Sequence, residues 1–294
     1  MKVLVIGGTR FFGKRLVSRL LKADFQVTLL NRGNSGDDFG SDVSKIVLDR
    51  KQLCSGHPAL GNQSWDLVFD QVCYDAEEAQ KACETFNGRV GRYIFTSSQS
   101  VYKPGENLKE ENFDPSTYQF PKAVDRNQDY GEAKRQAEAT FAQNLKMPFS
   151  FVRFPIVLGE DDYTERLAWH VRAISKGTPI YFPNIQSKIS FINSSSAAEV
   201  LFNQCQNVNQ GPLNACSTNP ISLLELMSLI ETLAGKKMQF ALTSTKESQS
   251  PFGIEADWFM STQKLKATGL HLKEINEWLP DLIKFYLQGF KFNS

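Results

Sequence analysis

The sequence predicts an α/β fold: a doubly wound parallel sheet covered by helices, followed by a smaller, discontinuous C-terminal part. Three observations predict it. Short apolar runs alternate with amphipathic stretches through the first half of the chain, the pattern of parallel strands buried between helices. The first run, Val3-Leu4-Val5-Ile6, passes straight into Gly7-Gly8-Thr9-Arg10-Phe11-Phe12-Gly13 and then into an amphipathic stretch. After residue 155 the rhythm loosens, so a second kind of packing is expected there.

Taken in order, strands are expected at 2–6, 26–30, 45–48, 67–69, 93–96 and 149–153, with helices at 12–22, 76–86 and 130–144. In the first helix Phe12, Leu16, Leu20 and Leu21 form an apolar stripe, while Lys14, Arg15, Arg19 and Lys22 face water. A helix over 165–175 leads into the turn Lys176-Gly177-Thr178-Pro179. A strand over 189–192 precedes Ser194-Ser195-Ser196, which would cap a helix over 197–206. A helix over 221–234 ends at Gly235, and the polar stretch 243–250 reads as an exposed loop. The last helix, 279–287, places Pro280 in its first turn. Residues 1–155 with 191–215 are expected to form one domain, and 156–190 with 216–294 the other.

Composition bounds the function. A length of 294 residues allows one large domain or two modest ones. A formal net charge of +1 gives no global field favouring nucleic acid or an anionic membrane. The many phenylalanines read as core packing. Cys54, Cys73, Cys83, Cys205 and Cys216 are scattered without a C-x-x-C pair, so a reducing, cytoplasmic setting is expected. His57, His170 and His271 lie far apart without ligand spacing, which speaks against a metal. The apolar start is too short for a signal-peptide core, and no run approaches membrane-spanning length, so no membrane partner is expected.

A strand entering a helix through a glycine turn lets backbone N–H groups and the positive helix end meet a pyrophosphate. Gly7 permits the tight turn, and Gly13 permits close packing of helix on strand. A turn that merely joins strand to helix is the bland alternative. The position at the chain start and the flanking elements favour a nucleotide, with Thr9, Arg10, Phe11 and Phe12 completing the loop. The end of the second strand reads the ribose 2′ position. Here it is Leu29-Leu30-Asn31-Arg32, without a carboxylate. An acid would repel a 2′-phosphate, whereas Arg32 and Arg10 could hold one through charge-assisted hydrogen bonds. NAD or NADP is expected, with a lean to NADP.

The loop resembles the G-x-x-G-x-x-G form of the short-chain dehydrogenases, with Arg10 where the middle glycine stands. Tyr93-Ile94-Phe95-Thr96-Ser97-Ser98-Gln99-Ser100-Val101-Tyr102 is similar to the fifth-strand signature of the extended members. Tyr130-Gly131-Glu132-Ala133-Lys134 matches their Tyr-x-x-x-Lys motif, with Glu138 following. Arg153-Phe154-Pro155-Ile156-Val157-Leu158-Gly159 resembles their sixth-strand element, which passes the nicotinamide, and Ser190-Phe191-Ile192-Asn193 their Phe-Ile-His segment. The chain is thus similar, over residues 1 to about 205, to the extended short-chain dehydrogenase/reductase family, of the NAD-dependent epimerase/dehydratase type.

That resemblance implies a Rossmann-type domain with a substrate-binding cap, and a hydroxyl-bearing small molecule, such as a nucleotide-sugar, as substrate. It implies an adenine contact for Asp49, cofactor contacts for Val72 and Pro155, and homodimers paired through the two helices flanking the active-site strands. Residues four apart share a helix face, so Tyr130 and Lys134 are expected side by side. A free tyrosine ionises near pH ~10; the Lys134 ammonium would lower that value. Tyr130 would then exchange a proton with a substrate hydroxyl while hydride passes to or from the nicotinamide. Ser98 would hold the substrate oxygen, and Lys134 the nicotinamide ribose.

Three departures stand out. Asp70-Gln71-Val72-Cys73-Tyr74 replaces the family's His-x-Ala-Ala, the helix after it lacks a relay asparagine, and Ile189 stands where sugar-nucleotide epimerases carry a basic residue. With the glycine loop and Lys176-Gly177-Thr178-Pro179-Ile180, these features also resemble the chloroplast stem-loop RNA-binding proteins and their bacterial relatives. A non-catalytic RNA-binding protein and a simple NADPH-dependent carbonyl reductase are therefore alternatives. Against nucleic acid stand Ser98, Tyr130 and Lys134 and the near-neutral charge, since RNA binding depends on phosphate neutralisation.

Overall fold

The computed structural model describes residues 1–34, 36, 38–206 and 210–291. Its main sheet holds seven strands: β1 (Lys2–Ile6), β2 (Gln26–Asn31), β3 (Ser44–Val47), β4 (Trp65–Asp70), β5 (Val90–Ser98), β6 (Phe149–Phe154) and β7 (Gly211–Asn214). They lie in the order β7-β6-β5-β4-β1-β2-β3, every pairing parallel. The chain starts in the middle, winds outward one way and then the other. The order reverses between β1 and β4, and ligands of such sheets bind in that crevice, beyond the carboxyl ends of the strands.

A parallel sheet needs cover on both faces. Strand pleating sends Val3 and Val5 to one face and Leu4 and Ile6 to the other. Helix α1 (Phe11–Lys22) packs Leu16, Val17 and Leu20 on the first face. On the second lie α2 (Ala76–Phe86) and α3 (Tyr130–Asn144), which bring Phe86 and Phe141 against Tyr93 and Phe95. Many of the phenylalanines go to the core, Phe95 lying 4.9 Å from Phe141 and 5.9 Å from Phe151 between ring centroids, while Phe240 and Phe285 are exposed.

The C-terminal lobe carries α4 (Arg166–Lys176), α5 (Ser194–Asn203), α6 (Leu223–Ala234), α7 (Gln263–Ala267) and α8 (Ile275–Lys291). Of these, α5 returns to the main sheet, packing Ala197, Val200 and Leu201 beside α1. A four-stranded sheet runs Ile221–Ser222, Lys188–Ile189, Trp258–Met260, Gly105–Leu108. Leu167, Val171, Leu226, Ile230, Leu279 and Ile283 of α4, α6 and α8 form the core of this lobe.

Several boundaries differ from the sequence reading. The strand expected at 189–192 is two: Lys188–Ile189 joins the small sheet, while Phe191–Asn193 runs parallel to Ile156–Leu158. Ser190 makes the change of partner, its hydroxyl oxygen accepting the Met260 N–H at 3.0 Å. Helix α5 starts at Ser194 because Asn193 is the cap, its side chain accepting the Ser195 N–H at 2.8 Å. Helix α6 starts at Leu223, behind a reciprocal Ser222–Glu225 capping box. Helix α8 begins at Ile275 and carries Pro280 inside it; burial of Ile275, Trp278 and Leu279 outweighs the lost backbone bond. The stretch 243–250 is irregular, yet Ser248 and Ser250 are buried. Among the described residues no helix is long and apolar enough to cross a membrane, and no cluster is arranged to hold a metal ion.

Candidate active site

Strand β1 delivers the chain into a loop in which Gly7 and Gly8 have φ of 97° and 91°. A Cβ on Gly8 would sit 2.8 Å from Val5 Cγ1, so this position takes no side chain. Sequence reading singled out Gly7 and Gly13 and missed Gly8, although positive φ and crowding coincide there. Arg10 is the N-cap of α1 and provides no side-chain cap, which leaves the first-turn N–H groups open toward the crevice.

Around that helix end opens a cleft of about 570 Å³, a size suited to a small ligand. Gly7, Thr9, Arg10, Phe11, Phe12, Gly13, Asn31, Arg32, Asp49 and Val72 all line it, as do Gly8, Arg50, Lys51, Gln71, Tyr74, Glu78, Arg126 and Tyr163, which the sequence did not single out. Five of these side chains are basic against two carboxylates, so the cleft favours an anion. Asn31 shapes the turn by accepting the Gly33 N–H at 2.8 Å, and Asp49 accepts that of Lys51 at 2.9 Å. Arg10 and Arg32 are exposed and have no ion pair among the described residues.

The Asp70 departure has a structural account. Asp70 is fully buried, pairs with Arg50, and accepts from the Tyr93 hydroxyl at 2.6 Å and the Val72 N–H at 3.2 Å. Arg50 also donates to the Glu78 carbonyl at 2.8 Å. Burial works against the Arg50 charge, but Asp70 beside it holds the guanidinium well above its ordinary value. This network fixes β4, α2 and the turn after β3, and so the floor of the cleft. Tyr74 and Arg126 close one side, the guanidinium 4.1 Å from the ring centroid.

Ser98 ends β5, and Tyr130 opens α3 behind the Asp129 cap. The two are neighbours: the Ser98 hydroxyl, which donates to Ser100 Oγ at 3.2 Å and accepts the Ser100 N–H at 3.1 Å, lies close enough to the Tyr130 phenol to pull its pKa down. Lys134, one turn on, is buried, its ammonium donating to the carbonyls of Cys73 at 2.9 Å and Thr96 at 2.8 Å. A buried cation needs such acceptors, and they tie the ends of β4 and β5 to α3. The structure corrects one expectation here. The Tyr130 phenol is raised, not lowered: burial lifts it, and the Ser98 hydroxyl and the charge of Arg166 only partly oppose that. Burial in turn pulls Lys134 down to about 8. Ser98, Tyr130, Lys134 and Pro155 lie outside the wall of the large cleft.

Arg153, the first residue of the sixth-strand element, turns inward. It is fully buried, paired with Glu138, and donates to the Tyr102 hydroxyl at 2.6 Å and the carbonyls of Glu110 and Phe113 at 2.9 and 3.0 Å. Glu138 is likewise spent on this network. Ile189 is buried in the small sheet, and Lys188 beside it is exposed.

The profile of the NAD dependent epimerase/dehydratase family matches residues 3–215, from β1 through β7. The chain belongs to the NAD-dependent epimerase/dehydratase family. Chloroplast stem-loop binding protein of 41 kDa b from Arabidopsis thaliana is 28% identical over 205 residues, covering 64% of this chain. The match takes in 50% of that relative, so the chain spans about half its length. Among solved structures, MoeE5 in complex with UDP-glucuronic acid and NAD superposes with a TM-score of 0.74 at 19% identity, covering 100% of both chains. UDP-glucose 4-epimerase from Thermotoga maritima, with UDP-glucose, gives 0.72 at 15% identity over 100% of this chain and 99% of its own. At such identities these likenesses show the epimerase/dehydratase fold.

Proposed function

We propose that this family member transfers hydride between NAD(P) and a hydroxyl-bearing small molecule, in an epimerase- or dehydratase-like reaction, with a nucleotide-sugar as the substrate class to test first. The supporting observation is the placement of Ser98 beside the Tyr130 phenol at the carboxyl end of β5, on the same edge of the sheet as an arginine-lined cleft at the switch point. The residues fit a dinucleotide. An uncapped helix end and a glycine cradle face the cleft, Arg10 and Arg32 suit a 2′-phosphate, and Asp49 suits the adenine end. NADP is the preferred form. Pro155 and Val72 are assigned to the nicotinamide side, and the C-terminal lobe, 156–190 with 216–294, to the substrate.

The nicotinamide, when bound, supplies the acceptor or donor of hydride. The protein supplies the rest. Ser98 orients the substrate oxygen, and Tyr130 takes or returns its proton. Lys134 holds the ribose and supports the phenolate once its N–H groups face a ligand. A cytoplasmic, reducing setting agrees with the free thiols, three of them buried. Homodimers would pair through α2 and α3.

The test is a binding and turnover panel of NAD and NADP with UDP-, GDP- and dTDP-sugars. Dinucleotide affinity with sugar turnover supports the reading; no affinity for either dinucleotide overturns it. Net consumption of NADPH would mark a carbonyl reductase instead. The name of the plant relative favours a second reading, stem-loop RNA binding on the same scaffold. RNA binding that falls steeply with salt and survives Tyr130→Phe would replace the first.

A further inference from the structure

We propose that Gln71 is a side-chain grip on the diphosphate of the bound dinucleotide, a role that rests on the dinucleotide reading above. Gln71 follows β4 directly, and its N–H donates to the Ile6 carbonyl at 3.0 Å, which pins it beside the start of the glycine loop. Its carboxamide lies across that loop. A Cβ on Gly13 would stand 2.5 Å from Gln71 Oε1 and 3.2 Å from Cδ, and one on Gly7 3.4 Å from Gln71 Cβ. The side chain also lines the cleft.

The carboxamide nitrogen is buried and has no hydrogen-bond partner among the described residues. Native proteins rarely leave such a donor unpaired. Its surroundings explain what would pair it. The uncapped first turn of α1 presents further donors, so the group that satisfies Gln71 must accept several hydrogen bonds at once. A diphosphate oxygen does so, and the arginines of the cleft supply the counter-charge. Glutamine adds a directed hydrogen bond without adding charge, and its neutral side chain rests on Gly13 where a cation would compete with the helix end.

The test compares wild-type protein with Gln71→Met and Gln71→Glu by titration calorimetry, using NADP, ADP-ribose and AMP. ADP-ribose contains the diphosphate and AMP does not. Gln71→Met is expected to weaken NADP and ADP-ribose about tenfold, the loss of one hydrogen bond to a charged group, with AMP unchanged. Gln71→Glu, nearly identical in shape, is expected to weaken both further by repulsion and guards against a misfolded methionine variant. Unchanged ADP-ribose affinity in both variants overturns the proposal. Equal weakening of AMP also overturns it, because it marks Gln71 as packing for the loop. Wild-type protein that binds neither NADP nor ADP-ribose removes the parent reading, a result distinct from the other two.

Discussion

Tyr130 sits at the point where proton transfer would begin, and its environment raises the phenol above the ordinary tyrosine value. On the proposed mechanism, the bound ligands would bring Lys134 into play to lower it. Replacing Tyr130 by Phe is therefore expected to lower kcat by ~100-fold or more while leaving dinucleotide affinity within about twofold; turnover and calorimetry read the two separately. Full turnover by the variant would remove the assigned acid/base. At the ribose end, Arg32→Ala with Arg10→Ala is expected to cut the preference for NADP over NAD by ~10-fold or more, read as a ratio of dissociation constants. The motif residues were legible because spacing along one helix or strand places them. The surroundings of Lys134 were not, since its acceptors are main-chain carbonyls of Cys73 and Thr96, brought together only by the pairing of β4 with β5. Gln71, Tyr74, Arg126 and Tyr163 come from loops without periodicity, and only folding gathers them.

Among the elements, the glycine loop and α4 make contrasting demands. Gly8→Ala places a Cβ against Val5 at positive φ and is expected to destabilise the protein by about 1–3 kcal/mol, measured by urea denaturation, with loss of dinucleotide binding. In α4, His170 was read from sequence only as a poor metal ligand. It is instead a core histidine: Nδ1 donates to the Arg166 carbonyl at 2.7 Å, and Nε2 accepts from the Ser250 hydroxyl at 2.8 Å. Its ring stacks on Phe252 at 4.5 Å. Burial pushes its pKa down to about 4, against ~6.5 in an unfolded chain. Between those values the unfolded state binds more protons, so stability rises with pH there. It is lost as pH falls from 6.5 toward 4, by about 3 kcal/mol in full. His170→Gln should cost stability at pH 7 and flatten that slope; denaturation at pH 7 and pH 4.5 compares the two proteins, and an unchanged slope refutes the assignment.

For the molecule as a whole, alternating patterns announced the α/β class and six of the seven main strands. The seventh, Gly211–Asn214, carries Pro212 and lacks an apolar run; it is tolerated because it is an edge strand bonded only to β6. Strand Gly105–Leu108 was equally silent, a polar segment from the first half of the chain recruited by Trp258–Met260 into the small sheet. Sequence local to a segment does not name its distant partner, which is why the order of the strands and the smaller sheet went unread.

The stretch Lys188–Asn193 enters one sheet before Ser190 and another after it. Ile189 packs in the core of the lobe and Ile192 in the core of the main sheet, so neither half of the protein can shed this ribbon without opening its own interior. Heat should consequently melt nucleotide-side and lobe-side structure in a single calorimetric peak, rather than releasing the lobe first and leaving a folded remnant behind.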